Sequence, residues 1–256
     1  MSELDTRGHI EELRKRLLRM VAVVMIITVL ILTLHVEQMQ VGSYTIYYVV
    51  PDPLDNIAAQ ITVHMRDSLV PQGVQLIQTA PGQAFFAQVY IAALAGVIIS
   101  MPVIARELAG FVGPALRNAE SGVARRITIP ATGLFAAGCA MAYVLVIPYM
   151  LEFLYRYGES AGLVTFLSIT DFVGFVMQFL LAFGISFQLP LVMYAVSASG
   201  LADRKFWRRN LRYALIGMVV FGAVITPDGS GITMWFIAGP MIALYVAGMI
   251  VIERKS

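Results

Sequence analysis

The chain has 256 residues, of which 59% are hydrophobic and only 13% are charged, and its mean hydropathy is +0.77. A soluble domain carries about 25% charged residues, so this composition cannot cover a water-facing surface and indicates an integral membrane protein. The net charge of +2 gives no basis for a nucleic-acid partner. With Cys139 as its single cysteine, the chain cannot form an intramolecular disulfide.

Six apolar runs are long enough, or nearly so, to cross a bilayer as helices, which takes about 20 residues. They cover residues 17–34, 84–103, 127–154, 172–198, 213–225 and 232–252. Between the first two runs, apolar residues recur at helical spacing from Leu54 to Leu69. This spacing predicts an amphipathic helix within residues 51–70 that caps the bundle on its outer side. We find no repeat or linker, so residues 1–256 are predicted to form one domain.

Lysine and arginine residues predict the orientation, because they concentrate in the cytoplasmic loops of membrane proteins. Sixteen of the 18 bases lie before or at the very start of the first run, between runs two and three, between runs four and five, or after the sixth. Only Arg66 and Arg156 lie in the other loops. The sequence therefore predicts that both termini are cytoplasmic.

The fifth run, residues 213–225, is short for a membrane span. Its 13 residues rise roughly 20 Å as a helix, against about 30 Å of hydrocarbon. Either residues 206–212 extend the helix, with arginines reaching to the interface, or the bilayer is thinner at this place. The residues alone leave both interpretations open.

The chain lacks the residue patterns of an enzyme. Its histidines, at positions 9, 35 and 64, have no metal-ligand spacing, and no Ser/His or Asp/Asp pair lies within the apolar runs. No phosphate-binding glycine loop is present. The deeper polar residues of the runs are amides, notably Gln178 and Gln188, and buried amides commonly join helices. We expect neither a catalytic residue nor a metal or other cofactor.

Two predicted cytoplasmic acids have less obvious roles. Glu12 lies in "HIEELRKRLL", just before the first run, and Glu120 ends the segment "GFVGPALRNAE". One interpretation is structural: Glu12 and Arg16 are four residues apart, as ion pairs on a helix are, and Glu120 could pair with Arg125. The other is that these carboxylates bind a cationic ligand.

At these motifs the sequence resembles the TatC family, the multispanning receptor subunit of the twin-arginine protein translocase. The matching segments are "HIEELRKRLL", "SMPVIARELAGFVGPALRNAE", "GFVMQFLLAFGISFQLP" and "GAVITPDGSG", in the order and six-span layout of the family. The resemblance implies a cupped all-α bundle of six transmembrane helices in the plasma membrane. It implies binding of twin-arginine signal peptides and transport of folded proteins, driven by the proton-motive force. It also implies single-span TatA-type partners, in some organisms TatB-type partners, and a homo-oligomer within the complex.

The resemblance also assigns roles to residues. Glu12 and Glu120 match the acids that contact the arginine pair of the signal peptide. The residues that match the rest of this site are Arg14, Arg16, Phe111, Pro114 and Leu116. Pro53 matches a proline of the outer loop. Gln188 stands where many members have a glutamate on the concave face, so we expect a weaker polar site there.

Two alternative functions remain open on the residues alone. A secondary transporter for a small solute would need a polar cavity at mid-membrane, where an ionisable residue is usual. An assembly scaffold would need no transport function of its own. Acids at the predicted cytoplasmic face favour a receptor over either alternative.

The predicted orientation can be tested with a reporter that is active only outside the cytoplasm. Fused at Gly73 it should be active, and fused at Ala202 it should be inactive, because the positive-inside distribution puts these loops on opposite sides. The reverse pattern of activity would show that the orientation is wrong.

Overall fold

The structure is a computed structural model that describes residues 3–41, 44–112, 123–226 and 231–254. In these ranges it has ten α-helices and four short strands. In chain order they are α1 (Glu3–Thr33), β1 (Leu34–Val41), β2 (Tyr44–Pro51), α2 (Ile57–Leu69), β3 (Gln75–Ile77), α3 (Gln83–Val112), α4 (Val123–Met141), α5 (Ile147–Ser160), β4 (Phe166–Ser168), α6 (Ile169–Ser186), α7 (Leu189–Ala198), α8 (Arg204–Arg209), α9 (Leu211–Ile225) and α10 (Met234–Arg254).

Within the described residues, five helical segments are long and apolar enough to cross a membrane. They are Ile10–Thr33, Gln83–Phe111, Ile127–Ser160, Ile169–Ala198 and Met234–Arg254. A sixth apolar helix, α9, has only 15 residues. The prediction of a helical membrane protein with six apolar segments is confirmed, whereas the side on which the termini lie stays a prediction.

Prolines account for the two interruptions within the long segments. A π-helical turn, Ala142–Val146, joins α4 to α5 just before Pro148. The chain leaves α6 at Ser186 and re-enters a helix at Leu189, before Pro190. A proline has no N–H for the carbonyl four residues earlier and its ring crowds that carbonyl. The affected carbonyls are those of Val144 and Ser186, which lie at these interruptions.

The chain divides into two compact units. The first consists of Met1–Ser100 and Ile147–Met177, and the second of Met101–Val146 and Gln178–Ser256. The sequence predicted one domain for the whole chain, and this stays a prediction.

In the first unit, the segment between α1 and α3 contains more secondary structure than the sequence predicted. Strands β1 and β2 form an antiparallel hairpin directly after α1. Helix α2 lies within the range predicted for the amphipathic helix and buries Ala58, Met65 and Leu69 along one face. Strand β3 pairs in parallel with β4, so the chain after α2 is joined to the chain after α5.

The hairpin takes up the first part of the segment between α1 and α3. Glu37 faces Tyr48 across the two strands, and the Tyr48 hydroxyl donates a hydrogen bond to the Glu37 carboxylate. This bond, which is lost on ionisation of the phenol, raises the pKa of Tyr48 above its ordinary value. At the base, Gln60 of α2 donates to the Val36 carbonyl over 3.0 Å. The hairpin is therefore held against α2 rather than free at its base.

In the second unit, α4 and the end of α6 run antiparallel in close contact. An added Cβ on Gly138 would lie 2.6 Å from the Phe183 carbonyl oxygen, and one on Gly184 would lie 2.6 Å from the Phe135 ring. Between them, the Cys139 thiol lies 3.5 Å from the Leu180 carbonyl oxygen. Small residues permit this approach of two helices in a membrane, where close packing is a main source of association.

Helix α10 packs against α7 and α9 in the same unit. An added Cβ on Gly248 would meet Met193 and Pro190 of α7, and one on Gly222 of α9 would lie 2.8 Å from the Met234 carbonyl oxygen. Ile237, Ala238 and Tyr245 of α10 are buried in this contact region. Glycines at the crossing points therefore set how closely these helices approach.

The glycine contacts can be tested by comparing two substitutions in α4. Gly138→Ala should lower the apparent melting temperature in detergent, because its Cβ would meet backbone that must move, at about 1–3 kcal/mol. Gly133→Ala is the matched control, since nothing lies within 4 Å of its added Cβ, and it should leave stability unchanged or raise it by about 0.5–1 kcal/mol. Equal melting temperatures for both variants would contradict the close crossing.

Candidate functional site

Glu12 lies on α1 about a turn and a half before the apolar run that begins at Leu17, and its carboxylate is already paired with a base. The Arg16 guanidinium approaches one carboxylate oxygen of Glu12, with Nε at 3.0 Å and Nη2 at 2.6 Å. The Glu12 side chain is nevertheless 47% exposed, against 24% for Arg16. The ion pair of the structural interpretation is thus present, and the carboxylate is still accessible to a ligand.

The other residues assigned to this site are only partly described. Arg14 is exposed on the same helix, and Phe111 is half-buried at the end of α3. Pro114, Leu116 and Glu120 lie outside the described residues. The structure brings Glu12 and Arg16 into contact, and the meeting of Glu12 with Glu120 stays a prediction.

Gln188 occupies the interruption between α6 and α7. Its side-chain amide donates to the Ala131 carbonyl of α4 over 3.1 Å and lies 3.4 Å from the Gly184 carbonyl oxygen. The side chain is partly buried. Both amide hydrogens therefore point to backbone carbonyls of this unit, as expected for an amide that joins helices.

Gln178, the second deep amide, has an equivalent role. Its Nε2 donates to the Ile225 carbonyl over 3.0 Å, at the last residue of α9. The last carbonyls of a helix lack intrahelical partners, so this side chain satisfies one of them. The amide connects α6 to the end of the short helix α9.

Pro53 lies in a tight turn that leads into α2. The Asp52 carboxylate accepts hydrogen bonds from the N–H groups of Leu54 and Asp55, over 2.9 and 3.1 Å. The Asp55 and Leu54 bonds, in that order, lower the pKa of Asp52, because they favour its ionised form. Asn56 Nδ2 then donates to the Pro53 carbonyl over 2.9 Å. These bonds fix the turn that contains Pro53, and the role assigned to the proline itself stays a prediction.

Asn56 is an important residue that the sequence interpretation missed. It is 2% exposed, its Oδ1 accepts from the Ala59 N–H as the N-cap of α2, and its Nδ2 also contacts Gln88 Oε1 of α3 at 3.1 Å. An asparagine just before an apolar-periodic segment is a recognised N-cap signal. Only its burial against α3 could not have been predicted.

The polar side chains described above make hydrogen bonds and an ion pair. No group of three or more His, Cys, Asp or Glu side chains suited to a metal is found among the described residues. The amides of Gln178 and Gln188 donate to backbone carbonyls, and the accessible carboxylate of Glu12 lies in the N-terminal part of α1, before the apolar run that begins at Leu17. These features define a helical, multi-pass membrane protein whose charged groups suit binding at the ends of its spans.

Comparison with known proteins places the chain in a family. Residues 8–240 match the model of the family described as Sec-independent protein translocase protein (TatC). A Sec-independent protein translocase protein TatC from Cenarchaeum symbiosum is 64% identical, covering 100% of this chain and 97% of its own. The protein of that name from Deinococcus radiodurans is 30% identical, covering 94% of this chain and 83% of its own. A crystal structure of the twin-arginine translocase receptor TatC aligns with a TM-score of 0.76 and 26% identity, covering 96% of this chain and 98% of that one.

The chain therefore belongs to the TatC family of Sec-independent protein translocases. The resemblance inferred from the four motifs is confirmed. Membership makes the chain a multi-pass membrane component of a protein translocase rather than an enzyme. It also implies that the chain acts together with other components of the translocase.

The role of Gln188 can be tested on the isolated chain. Gln188→Met keeps the side-chain length but removes both donors, so it should destabilise the chain by about 0.6–1.7 kcal/mol, as other interhelical hydrogen bonds in membranes do. The measurement is the apparent melting temperature in detergent, without any partner protein. Gln38→Met on the exposed face of the hairpin is the control and should have no effect. An unchanged melting temperature for Gln188→Met would show that the amide does not join these helices.

Proposed function

We propose that this chain is the signal-peptide receptor and core subunit of a twin-arginine translocase, which moves folded proteins across the plasma membrane. The proton-motive force supplies the energy, and both termini are cytoplasmic. The observation that carries the proposal is the accessible Glu12 carboxylate beside the first span of a TatC-family chain. The likeness of the fold to a crystal structure of a twin-arginine translocase receptor supports it.

A twin-arginine peptide presents two guanidinium groups that stay ionised at any physiological pH. Carboxylates are their natural ligands, and bidentate pairing distinguishes arginine from lysine. Glu12 supplies one carboxylate and Glu120 the other. Carboxylates on the cytoplasmic side, near the membrane, let the peptide's apolar segment stay close to the bilayer.

The ion pair between Glu12 and Arg16 does not prevent this binding. An exposed pair four residues apart on a helix contributes only about 0.3–0.5 kcal/mol, whereas a hydrogen bond to a charged group contributes about 1.5–3 kcal/mol. A peptide guanidinium that is held by further contacts can therefore replace Arg16 at Glu12. In the absence of peptide, Arg16 keeps the carboxylate neutralised.

The remaining assigned residues complete the receptor. Arg14 and Arg16 keep the N-terminal part of α1 basic, and Phe111, Pro114 and Leu116 contribute the adjoining contacts to the peptide. Pro53 fixes the outer-loop turn, and Gln188 gives the concave face a polar point. The partners are TatA-type and, where they exist, TatB-type single-span subunits, together with further copies of this chain.

The alternative function is a secondary transporter for a small solute, which would work without any partner protein. It would move solute in liposomes that contain this chain alone. A receptor subunit would bind signal peptide in the same liposomes without moving any solute.

The carboxylates are tested by peptide binding in nanodiscs. Glu12→Gln and Glu120→Gln should each weaken the binding of a twin-arginine signal peptide by about one to two decades, the equivalent of one lost charge-assisted hydrogen bond. A twin-lysine peptide should bind the unaltered chain weakly, because lysine cannot pair in a bidentate way. The measurement is the dissociation constant, with the melting temperature recorded for each variant.

Glu11→Gln is the matched control. Glu11 is the neighbouring acid and is exposed on the same helix, but a rotation of about 100° separates the two side chains. Its substitution should change the dissociation constant little. If Glu11→Gln weakens binding as much as Glu12→Gln does, the effect is one of net charge and the assigned contact is wrong.

A further inference from the structure

A dense group of basic side chains lies where the chain enters α9. We name Lys205, Arg208, Arg209 and Arg212 the basic elbow; they lie on α8 and in the first turn of α9, and all four residues are exposed. Arg208 lies 4.0 Å from the Glu253 carboxylate and its side chain is 74% exposed. Among the described residues, Lys205 and Arg209 contact no carboxylate. The elbow therefore carries positive charge that the described chain largely leaves uncompensated.

The elbow is held in place by the tryptophan at its centre. The Trp207 indole N–H donates to the Ser197 hydroxyl at the end of α7, over 2.8 Å. The Trp207 carbonyl accepts from the buried Tyr245 hydroxyl of α10, also over 2.8 Å. The two rings pack edge to face, with their centroids 6.2 Å apart. Two helices thus fix the backbone that presents the bases, so the cluster is a defined surface rather than a loose tail.

The position of the elbow restricts what can bind it. The apolar helix α9 begins at Leu211, so the bases lie at the edge of the hydrocarbon. Arg212 lies with its guanidinium 4.7 Å from the centre of the Tyr213 ring, and tyrosine favours the membrane–water interface. A ligand at this depth must be anionic and resident in the interface. Like charge disfavours an arginine-bearing signal peptide at this surface.

We propose that the basic elbow binds the phosphate groups of anionic phospholipids. Arginine pairs with phosphate through two parallel hydrogen bonds, and lysine does so as a point charge. Clusters of four or more bases beside a membrane helix attract anionic lipid. Because α9 has 15 residues and rises only about 22 Å, phosphates held at the elbow bring headgroups towards the short helix. The bound lipid thereby stabilises α9 in a bilayer that exceeds its length.

The experiment uses the full chain in phosphatidylcholine nanodiscs that contain a photoactivatable phosphatidylglycerol. Crosslinks within residues 201–213 are counted by mass spectrometry. Lys205→Gln/Arg209→Gln should reduce them at least about tenfold, since each base near an anionic surface changes binding by about fivefold. The control, Arg66→Gln/Arg156→Gln, removes the same charge from bases that already pair with Asp67 and Glu152. It should leave these crosslinks unchanged.

Equal loss in both variants, or no loss in either, would overturn the proposal. If the elbow variant does not fold, the test is made on the unaltered chain with two photoactivatable lipids. Phosphatidylcholine should crosslink to residues 201–213 much less than phosphatidylglycerol does. Equal crosslinking by the two lipids would overturn the proposal. Inorganic phosphate should compete no better than chloride at the same ionic strength. Stronger competition would identify a site for free phosphate and make the lipid assignment wrong. Signal peptide is absent throughout, so the result is independent of the proposed receptor function.

Discussion

The structure depends on one constraint: the core of a bilayer offers no hydrogen-bond partner to the backbone. Unbroken helices satisfy it alone, and among the described residues three backbone positions at or near helix ends also accept a hydrogen bond from a side chain. At the interruption before Pro190, Gln188 donates to carbonyls of α4 and α6. At the end of α9, Gln178 donates to Ile225. At the junction of α8 and α9, Tyr245 donates to Trp207. Each of these side chains in the second unit thus donates a hydrogen bond to the backbone of another helix.

The same constraint separates structural polar groups from functional ones. A charge at mid-membrane costs about 2.5–3.5 kcal/mol on insertion scales, and a neutral amide avoids this cost. Charged side chains that bind a ligand therefore carry a low desolvation cost only at the ends of spans, where water and headgroups are present. Glu12, half exposed beside the first span, is such a group. Its weak pairing with Arg16 is a consequence of the same exposure, since water screens the two charges. A pair that is easily displaced suits a site that must exchange one arginine for another.

The sequence predicted those features of the structure that depend on residues close together in the chain. Apolar runs of sufficient length predicted the membrane helices, and the spacing of Glu12 and Arg16 predicted their ion pair. The first helix nevertheless begins at Glu3, well before its apolar run, because apolar length limits the span and not the helix. The pairing of Gln75 with Phe166 joins residues far apart in the chain, and no local pattern reveals it. The sequence did not predict the hairpin, because apolar residues such as Ile46 and Val49 lie on both of its faces. The strands therefore lack the strict alternation of apolar and polar residues that marks a half-buried strand.

The short fifth span favours a thinner bilayer over a longer helix. Extension of the helix by residues 206–212 would need one continuous helix, but α8 ends at Arg209 and α9 begins at Leu211, with Asn210 between them. Trp207, just before the interruption, is hydrogen-bonded to α7 and α10, so a rearrangement into one continuous helix would disturb these contacts. The mismatch between about 22 Å of helix and about 30 Å of hydrocarbon must then be met by the lipid. Local thinning costs only fractions of a kcal/mol per ångström. A fixed group of bases at the helix end offsets part of that cost by attracting headgroup phosphates to the depth at which α9 begins.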